Sequence, residues 1–160
     1  MVTHHADAAR AWSAVAAVVD PEVPVLSIDD LGVLREVTVS DTGVEVVITP
    51  TYSGCPAMDA IREDVVRALA AEGFGDVRVR LVLSPAWTTD WISAKGRSAL
   101  KEYGIAPPSA AGPVRLSMSV KCPHCDSLDT REIAHFGSTS CKALFVCRSC
   151  GEPFDHFKAL

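Results

Sequence analysis

The sequence predicts a two-layer α+β domain, with helices on one face of a small mixed sheet, followed by a small cysteine-rich module. Apolar residues recur first at helical spacing and then in alternation, so helices and strands are mixed along the first two thirds of the chain. Three prolines and a glycine then mark a connector, and two Cys-x-x-Cys pairs follow it. In a chain of 160 residues we therefore expect a domain over 1–105, a linker over 106–114 and a module over 115–160.

The first half of the domain reads as a helix and a hairpin. Asp7 can cap a helix with an apolar stripe, and the prolines at 21 and 24 prevent its continuation. Residues 33–39 and 44–49 are rich in valine and are joined by Ser-Asp-Thr-Gly, which suits a tight turn. These two segments are predicted to form an antiparallel pair of strands.

The second half of the domain reads as helix, strand, helix. Residues 56–71 carry apolar side chains at helical spacing, and Gly73 suits the C-terminal cap. Residues 77–83 have apolar side chains at every second position, which predicts a strand with one polar face. A third helix is expected to begin near Thr88 or Thr89 and to end near Gly104.

The module carries the strongest chemical signal. Two Cys-x-x-Cys turns separated by residues 126–146 have the spacing of a zinc ribbon, in which four thiolates surround one metal ion. The predicted ligands are Cys122, Cys125, Cys147 and Cys150. Zinc is the expected metal and iron is chemically possible, whereas a redox dithiol would need a thioredoxin-like setting that this tail does not offer. Four thiolates close the shell, so the remaining candidates, Cys141, His124, His135 and His156, are interpreted as spare or auxiliary.

Cys55 is the candidate reactive group of the first domain. Pro56 suits the first position of a helix, which would place Cys55 at the N-cap, facing the positive end of the helix dipole. A thiol in that position should have a pKa below that of free cysteine and should be a nucleophile or a soft metal ligand. The alternative is a small buried cysteine under a turn.

Two further groups of residues at the ends of elements have both a functional and a structural interpretation. Asp20 and Glu22, in a loop stiffened by proline, could bind metal or could be an ordinary solvated connection. Trp87 and Trp91 could form a surface for a partner protein, or could belong to the core.

Charge and hydropathy exclude two classes of partner. The net charge of −5 argues against nonspecific binding to nucleic acid, which requires a basic surface. No run approaches the ~18 apolar residues that cross a bilayer, and no cationic leader precedes an apolar segment. We expect a cytoplasmic protein with reduced thiols, so its paired cysteines are predicted to bind metal rather than to form disulfides.

Four segments together resemble a known family: 20–25, 30–33, 51–57 and 85–92. Their residues, among them Asp-Pro-Glu-Val-Pro-Val and Thr-Tyr-Ser-Gly-Cys-Pro-Ala, are similar to the iron–sulfur cluster assembly domain of the SufT type. The tail, with Phe-Gly-Ser-Thr-Ser-Cys-Lys-Ala-Leu at 136–144, resembles one branch of that family, the phenylacetyl-CoA epoxidase D subunits (PaaD). The resemblance covers nearly the whole chain.

The resemblance implies an accessory role in aerobic phenylacetate degradation rather than catalysis of epoxidation. It implies help in assembling an iron centre or an iron–sulfur cluster of a multicomponent oxygenase, and the implied partners are its subunits, above all the iron–sulfur flavin reductase. A homodimer is a further expectation. Cys55, with Asp20 and Glu22 nearby, would handle a transient iron ion or cluster. Two alternatives stay open, a docking module that handles no cluster and a thiol enzyme that uses Cys55.

Overall fold

The structure, a computed structural model, describes residues 2–109 and 119–159, with side chains from residue 6 onward. The chain divides into two units, Met1–Ser93 and Ala94–Leu160. Positions 110–114 of the predicted linker and 115–118 of the predicted module lie outside the described residues. Within the described part of the chain, no helix is both long enough and apolar enough to cross a membrane.

The first unit is a three-stranded mixed sheet with two helices. Strand β1 pairs antiparallel with β2, and β2 pairs parallel with β3, in the order β1-β2-β3. Helix α1 packs against β1 and α2, and α2 packs against β3, so the α+β class is confirmed. The elements are α1 (Val2–Ala16), β1 (Leu34–Ser40), β2 (Gly43–Ile48), α2 (Ala57–Ala71) and β3 (Val77–Leu81).

The valine-rich hairpin and the second helix form where the sequence predicts them. The alternating residues Val44, Val46 and Ile48 of β2 are buried in the core, and Val47 between them is buried as well. The stripe of α2 lies on the same core, because residues three or four apart share one face of a helix. Beyond the end of α2, Gly73 has a φ of 84°, a conformation that glycine adopts without strain.

Two helix boundaries differ from the prediction. Helix α1 begins at Val2 rather than Asp7, because nothing in the preceding residues interrupts a helix, and Asp7 pairs with Arg10 one turn later at 3.3 Å. The residues after Thr88 form a single 3-10 turn, Thr89–Trp91, rather than the start of a long helix. Ile92 has extended backbone and ends that turn, so the third helix starts only at Ala94.

The second unit combines the third helix with a four-stranded sheet. The strand order is β4-β7-β6-β5, with antiparallel pairs except for β4 beside β7. Because α3 and β4 belong to this unit, its boundary precedes the predicted linker, and the division into 1–105, 106–114 and 115–160 remains a prediction. The elements are α3 (Ala94–Glu102), β4 (Ile105–Ala106), β5 (Thr130–Ala134), β6 (Lys142–Cys147) and β7 (Pro153–Phe157).

Candidate metal sites

The two Cys-x-x-Cys turns have the same backbone geometry. In the first, the N–H of Asp126 donates to the carbonyl of Cys122 at 3.0 Å, and in the second Gly151 donates to Cys147 at 2.9 Å. The residue after each second cysteine is left-handed, with φ of 62° at Asp126 and 81° at Gly151. Each turn therefore points two sulfur atoms toward the other turn.

The four sulfur atoms form one cluster, all within 4.8 Å of one another. The Sγ atoms of Cys125 and Cys147 are 3.5 Å apart, and those of Cys122 and Cys150 are 3.9 Å apart. Four ligands at 2.3 Å from a tetrahedral zinc ion lie about 3.8 Å from one another. The donor set and its spacing therefore fit a structural zinc ion, and the four predicted ligands are brought together.

The two thiols of the second turn differ, since the pKa of Cys147 is lowered and that of Cys150 is raised. The N–H groups of Cys150 and Ser149 point at the sulfur of Cys147 and outweigh its burial, which lowers the pKa of that thiol to about 6. Cys147 and Cys122 are fully buried, whereas Cys125 and Cys150 are exposed. The cage formed by these four cysteines thus has an inner side within the core of the second unit and an outer side that faces solvent.

Helix α3 is tied to the first turn by an ion pair that the sequence did not predict. Asp126 accepts from Lys101 of α3 at 2.9 Å and lies 3.4 Å from Lys121, and both lysines lower the pKa of its carboxyl group. Lys101 and Asp126 are distant in sequence and have no motif in common, so no local pattern could have identified the pair.

The auxiliary candidates of the module lie outside the four-sulfur cluster. Cys141 is buried, and its sulfur lies 2.9 Å from the hydroxyl of Thr139. His135 pairs with Glu132 at the surface. Burial lowers the pKa of His156, whose ring packs against a phenylalanine. The ring of His124 lies beside Gly104, where a side chain would crowd it.

Cys55 lies at the start of α2 but not as its cap. Pro56 occupies the N-cap, and the helix proper begins at Ala57. The thiol is largely buried, and the groups that act on it are the N–H of Ala57, the hydroxyl of Thr51 and the carboxylates of Glu22 and Asp20. The charges of both predicted carboxylates therefore act on Cys55, and Thr51, which the sequence analysis did not single out, forms a hydrogen bond to it.

The expected lowering of the Cys55 pKa is wrong. Burial raises its pKa above the ordinary value, and the two carboxylates raise it further, while hydrogen bonds from Ala57 and Thr51 oppose the change only in part. The start of a helix favours the thiolate, but loss of hydration and two nearby negative charges favour the neutral thiol more strongly. Cys55 is therefore a protonated thiol at neutral pH.

Asp20 organises the loop beside this thiol. Its Oδ1 accepts hydrogen bonds from the backbone N–H groups of Glu22 and Val23, both at 2.8 Å, and its side chain is buried. This is a turn stabilised by an aspartate, as the structural interpretation of the segment requires. The same turn also holds a carboxylate near Cys55.

The two tryptophans differ in exposure. Trp87 is buried, and its indole N–H donates to the carbonyl of Leu31 at 3.0 Å, so it holds the turn at residues 28–33. Trp91 is partly exposed and lies under the guanidinium of Arg35, 3.7 Å from the ring centroid. Gly32 approaches the backbone of Trp91 so closely that a side chain would not fit there. The burial of Trp87 fits the core interpretation, and a surface for a partner that includes Trp91 remains a prediction.

Comparison with known families finds two different family models that match successive parts of the chain. Residues 8–81 match the family model described as iron–sulfur cluster assembly protein, and residues 106–158 match the one described as PaaD zinc beta ribbon domain. A solved domain of unknown function DUF59 from Bacillus anthracis superimposes with a TM-score of 0.58 and 26% identity. That match covers 62% of this chain and 95% of the solved chain.

Two curated relatives extend the comparison. The chain is 39% identical to the Fe-S protein maturation auxiliary factor SufT of Staphylococcus aureus (strain USA300), over 52% of its own length and 96% of that protein. It is 47% identical to a protein of Escherichia coli (strain K12) provisionally named as the D subunit of 1,2-phenylacetyl-CoA epoxidase, over 93% of its own length and 91% of that relative. With this identity along nearly the full length of both chains, and with both family models matched in order, the chain belongs to the PaaD family.

Proposed function

We propose that this protein is a non-catalytic accessory factor that handles iron or a transient iron–sulfur cluster during maturation of a multicomponent phenylacetyl-CoA epoxidase. The observation that carries the proposal is the environment of Cys55, where one buried thiol feels the charges of the Asp20 and Glu22 carboxylates. Its family membership, and the names of its relatives as maturation factors, support the same role.

The chemistry of Cys55 suits cargo that must be released. A metal can bind this sulfur only after displacing its proton, and the raised pKa makes that displacement costly at neutral pH. The neighbouring carboxylates can then balance the charge of a bound iron ion. A single thiol with a displaceable proton binds weakly, in contrast to four thiolates that enclose an ion.

The zinc ribbon with its four cysteines has a separate, structural role. Cys122 and Cys147 are part of the core of the second unit, together with Phe145 and Phe154. When bound, zinc joins the two turns and completes that core. Its thiolates are all used as ligands, so cargo would not exchange there.

The proposed clients are the other subunits of the epoxidase, above all the iron–sulfur flavin reductase and its [2Fe–2S] cluster. The proposed compartment is the cytoplasm, where thiols are reduced. Within this role the protein supplies a metal centre and does not carry out the epoxidation itself.

Replacing Cys55 by serine tests the proposal. Cys55→Ser keeps nearly the size of the side chain and removes the soft ligand, so we expect a folded protein with its zinc that no longer supports epoxidase activity in cells. Metal analysis of each purified subunit should locate the loss in a client rather than in this protein. The matched control is Cys141→Ser, which also alters one buried thiol but lies outside both metal sites. Full activity with Cys55→Ser would refute the metal-handling role.

A docking module without cargo is the second candidate, because the chain also carries a partly exposed tryptophan under an arginine. Anaerobic purification followed by iron and sulfide analysis separates the two functions. Iron that is present in the parent and absent from Cys55→Ser supports cargo handling. No iron in either protein, together with full epoxidase activity of the variant, supports docking alone.

A further inference from the structure

The outer edge of the first sheet has an open strand. In the described part of the chain, β3 has a single neighbouring strand, β2. The N–H of Val82 donates to β2 at Ile48, and the carbonyl of Asp76 accepts from β2 at Val44, so even-numbered residues bond inward. Backbone groups alternate in direction along a strand, so those of Val77, Val79 and Leu81 point away from the sheet.

A shallow groove lies beside this edge. It has a volume of about 620 Å³ and runs between α2 and β3, lined by Arg62, Glu63, Val66, Arg67 and Val79. Val66 is 42% exposed, although it is an apolar residue. The Nε atom of Arg62 is buried and has no hydrogen-bond acceptor among the described residues. The groove thus combines an open apolar floor with a donor that lacks a partner.

Arginine side chains are concentrated at the same edge. Four of the six lysine and arginine side chains of residues 1–93 belong to the groove or to β3 itself, although the whole chain has a net charge of −5. They are Arg62, Arg67, Arg78 and Arg80. Two of them have an acidic neighbour, with Arg80 at 3.5 Å from Glu45 and Arg67 at 2.6 Å from Asp64. Glu63 also lines the groove, so the four arginines exceed these three carboxylates by one.

We propose that the β3 edge, defined as β3 with the groove beside it, docks an acidic, extended segment of a partner protein as an added strand. An added strand would form backbone hydrogen bonds with Val77, Val79 and Leu81. It would also place apolar side chains over Val79 and Val66. Its opposite face would present carboxylates to Arg78 and Arg80. A segment of five to seven residues buries less than a stable interface does, which suits a transient encounter.

A second copy of this chain is a poorer occupant. Antiparallel pairing of two β3 strands centred on Val79 would place Arg78 directly opposite Arg80 of the other copy, twice in each pair. Like charges directly opposite each other destabilise a sheet. Charge repulsion therefore disfavours pairing of two β3 edges, whereas an acidic strand would be attracted. This inference does not depend on whether Cys55 handles metal.

The test uses the full-length, zinc-loaded protein and a labelled seven-residue peptide in which glutamate and valine alternate. We expect saturable binding by fluorescence anisotropy that weakens as salt rises. Reversal of one charge on the edge, Arg78→Glu, should raise Kd about tenfold, a loss of about 1.4 kcal/mol. The matched control is Arg131→Glu, an exposed strand arginine of the second unit, which should leave Kd unchanged.

Methylated peptides test the strand pairing itself. In one peptide the valine amides are N-methylated, and in the other the glutamate amides. Either the valine amides or the glutamate amides can face β3, but not both. One methylated peptide should therefore lose binding, and the other should keep it. If both bind like the parent peptide, or if a lysine–valine peptide or single-stranded DNA binds equally well, the proposal is overturned. Failure here leaves the metal-handling proposal intact, because iron content and epoxidase activity are measured separately.

Discussion

Asp20→Asn should lower the stability of the first unit while making Cys55 more reactive. The Oδ1 atom of Asp20 accepts two backbone hydrogen bonds at 2.8 Å in a buried position. A bond to a charged acceptor contributes about 1.5–3 kcal/mol and a neutral one about 0.5–1.5 kcal/mol. Asparagine can keep both bonds in neutral form, so the expected loss is about 1 kcal/mol for each bond and about 2 kcal/mol in total.

The effect on Cys55 has the opposite direction. The carboxylate of Asp20 is one of the charges that raise the pKa of Cys55, after burial and Glu22. Removing that charge should lower the pKa, so a larger fraction of the thiol is ionised at pH 8 and alkylation accelerates. Loss of stability alone would expose other buried side chains in the unit, whereas this change is specific to one sulfur.

Two measurements separate these effects. The three tryptophans of the chain, at positions 12, 87 and 91, all lie in the first unit, so urea unfolding followed by tryptophan fluorescence reports on that unit alone. Mass spectrometry of the peptide that contains Cys55 gives its alkylation rate. Asp76→Asn, an exposed position with φ of 46° that asparagine tolerates, is the control and should change stability by less than about 0.5 kcal/mol. If Asp20→Asn is as stable as the parent and its Cys55 reacts at the parental rate, the reasoning about this loop is refuted.

Three further predictions concern metal and activity. Removal of zinc by a chelator should abolish hydrogen-exchange protection in residues 94–109 and 119–159, because the cage is part of the core of the second unit. Residues 6–93 should stay protected. Retained protection in 94–109 and 119–159 would contradict a structural zinc ion. Binding of iron(II) at Cys55 should tighten by about tenfold per pH unit between about pH 6 and pH 8, since each ion displaces one proton from a thiol whose pKa is raised. An affinity that does not change with pH would exclude the thiol as a ligand. The isolated protein should not oxidise phenylacetyl-CoA with any electron donor, because no helix among the described residues carries the Glu-x-x-His motif of the di-iron oxygenases; the spacing from Glu132 to His135 begins on strand β5. Measurable turnover would overturn the accessory role.

The features that could be predicted from sequence have their cause in neighbouring residues. The hairpin follows from alternating valines around Asp-Thr-Gly, and the four-cysteine cage follows from two short turns with fixed spacing. The pKa of Cys55 has a different origin, because it depends on burial and on carboxylates more than thirty residues earlier in the chain. The placement of α3 with the ribbon is equally non-local, since it involves Lys101 and Asp126 and a parallel pairing of β4 with β7.

The four-cysteine cage and the thiol of Cys55 differ in how they would bind a metal ion. At the cage, backbone donors lower the pKa of Cys147, while burial and the neighbouring thiols raise those of Cys125 and Cys150, so one thiolate is available at neutral pH and an ion, once bound, is enclosed by three more sulfurs. At Cys55, burial and two carboxylates raise the pKa, so a proton competes with any metal for one sulfur. The first arrangement favours retention and the second favours exchange. In the proposed accessory role, the cage would keep the protein folded and Cys55 would release the cargo.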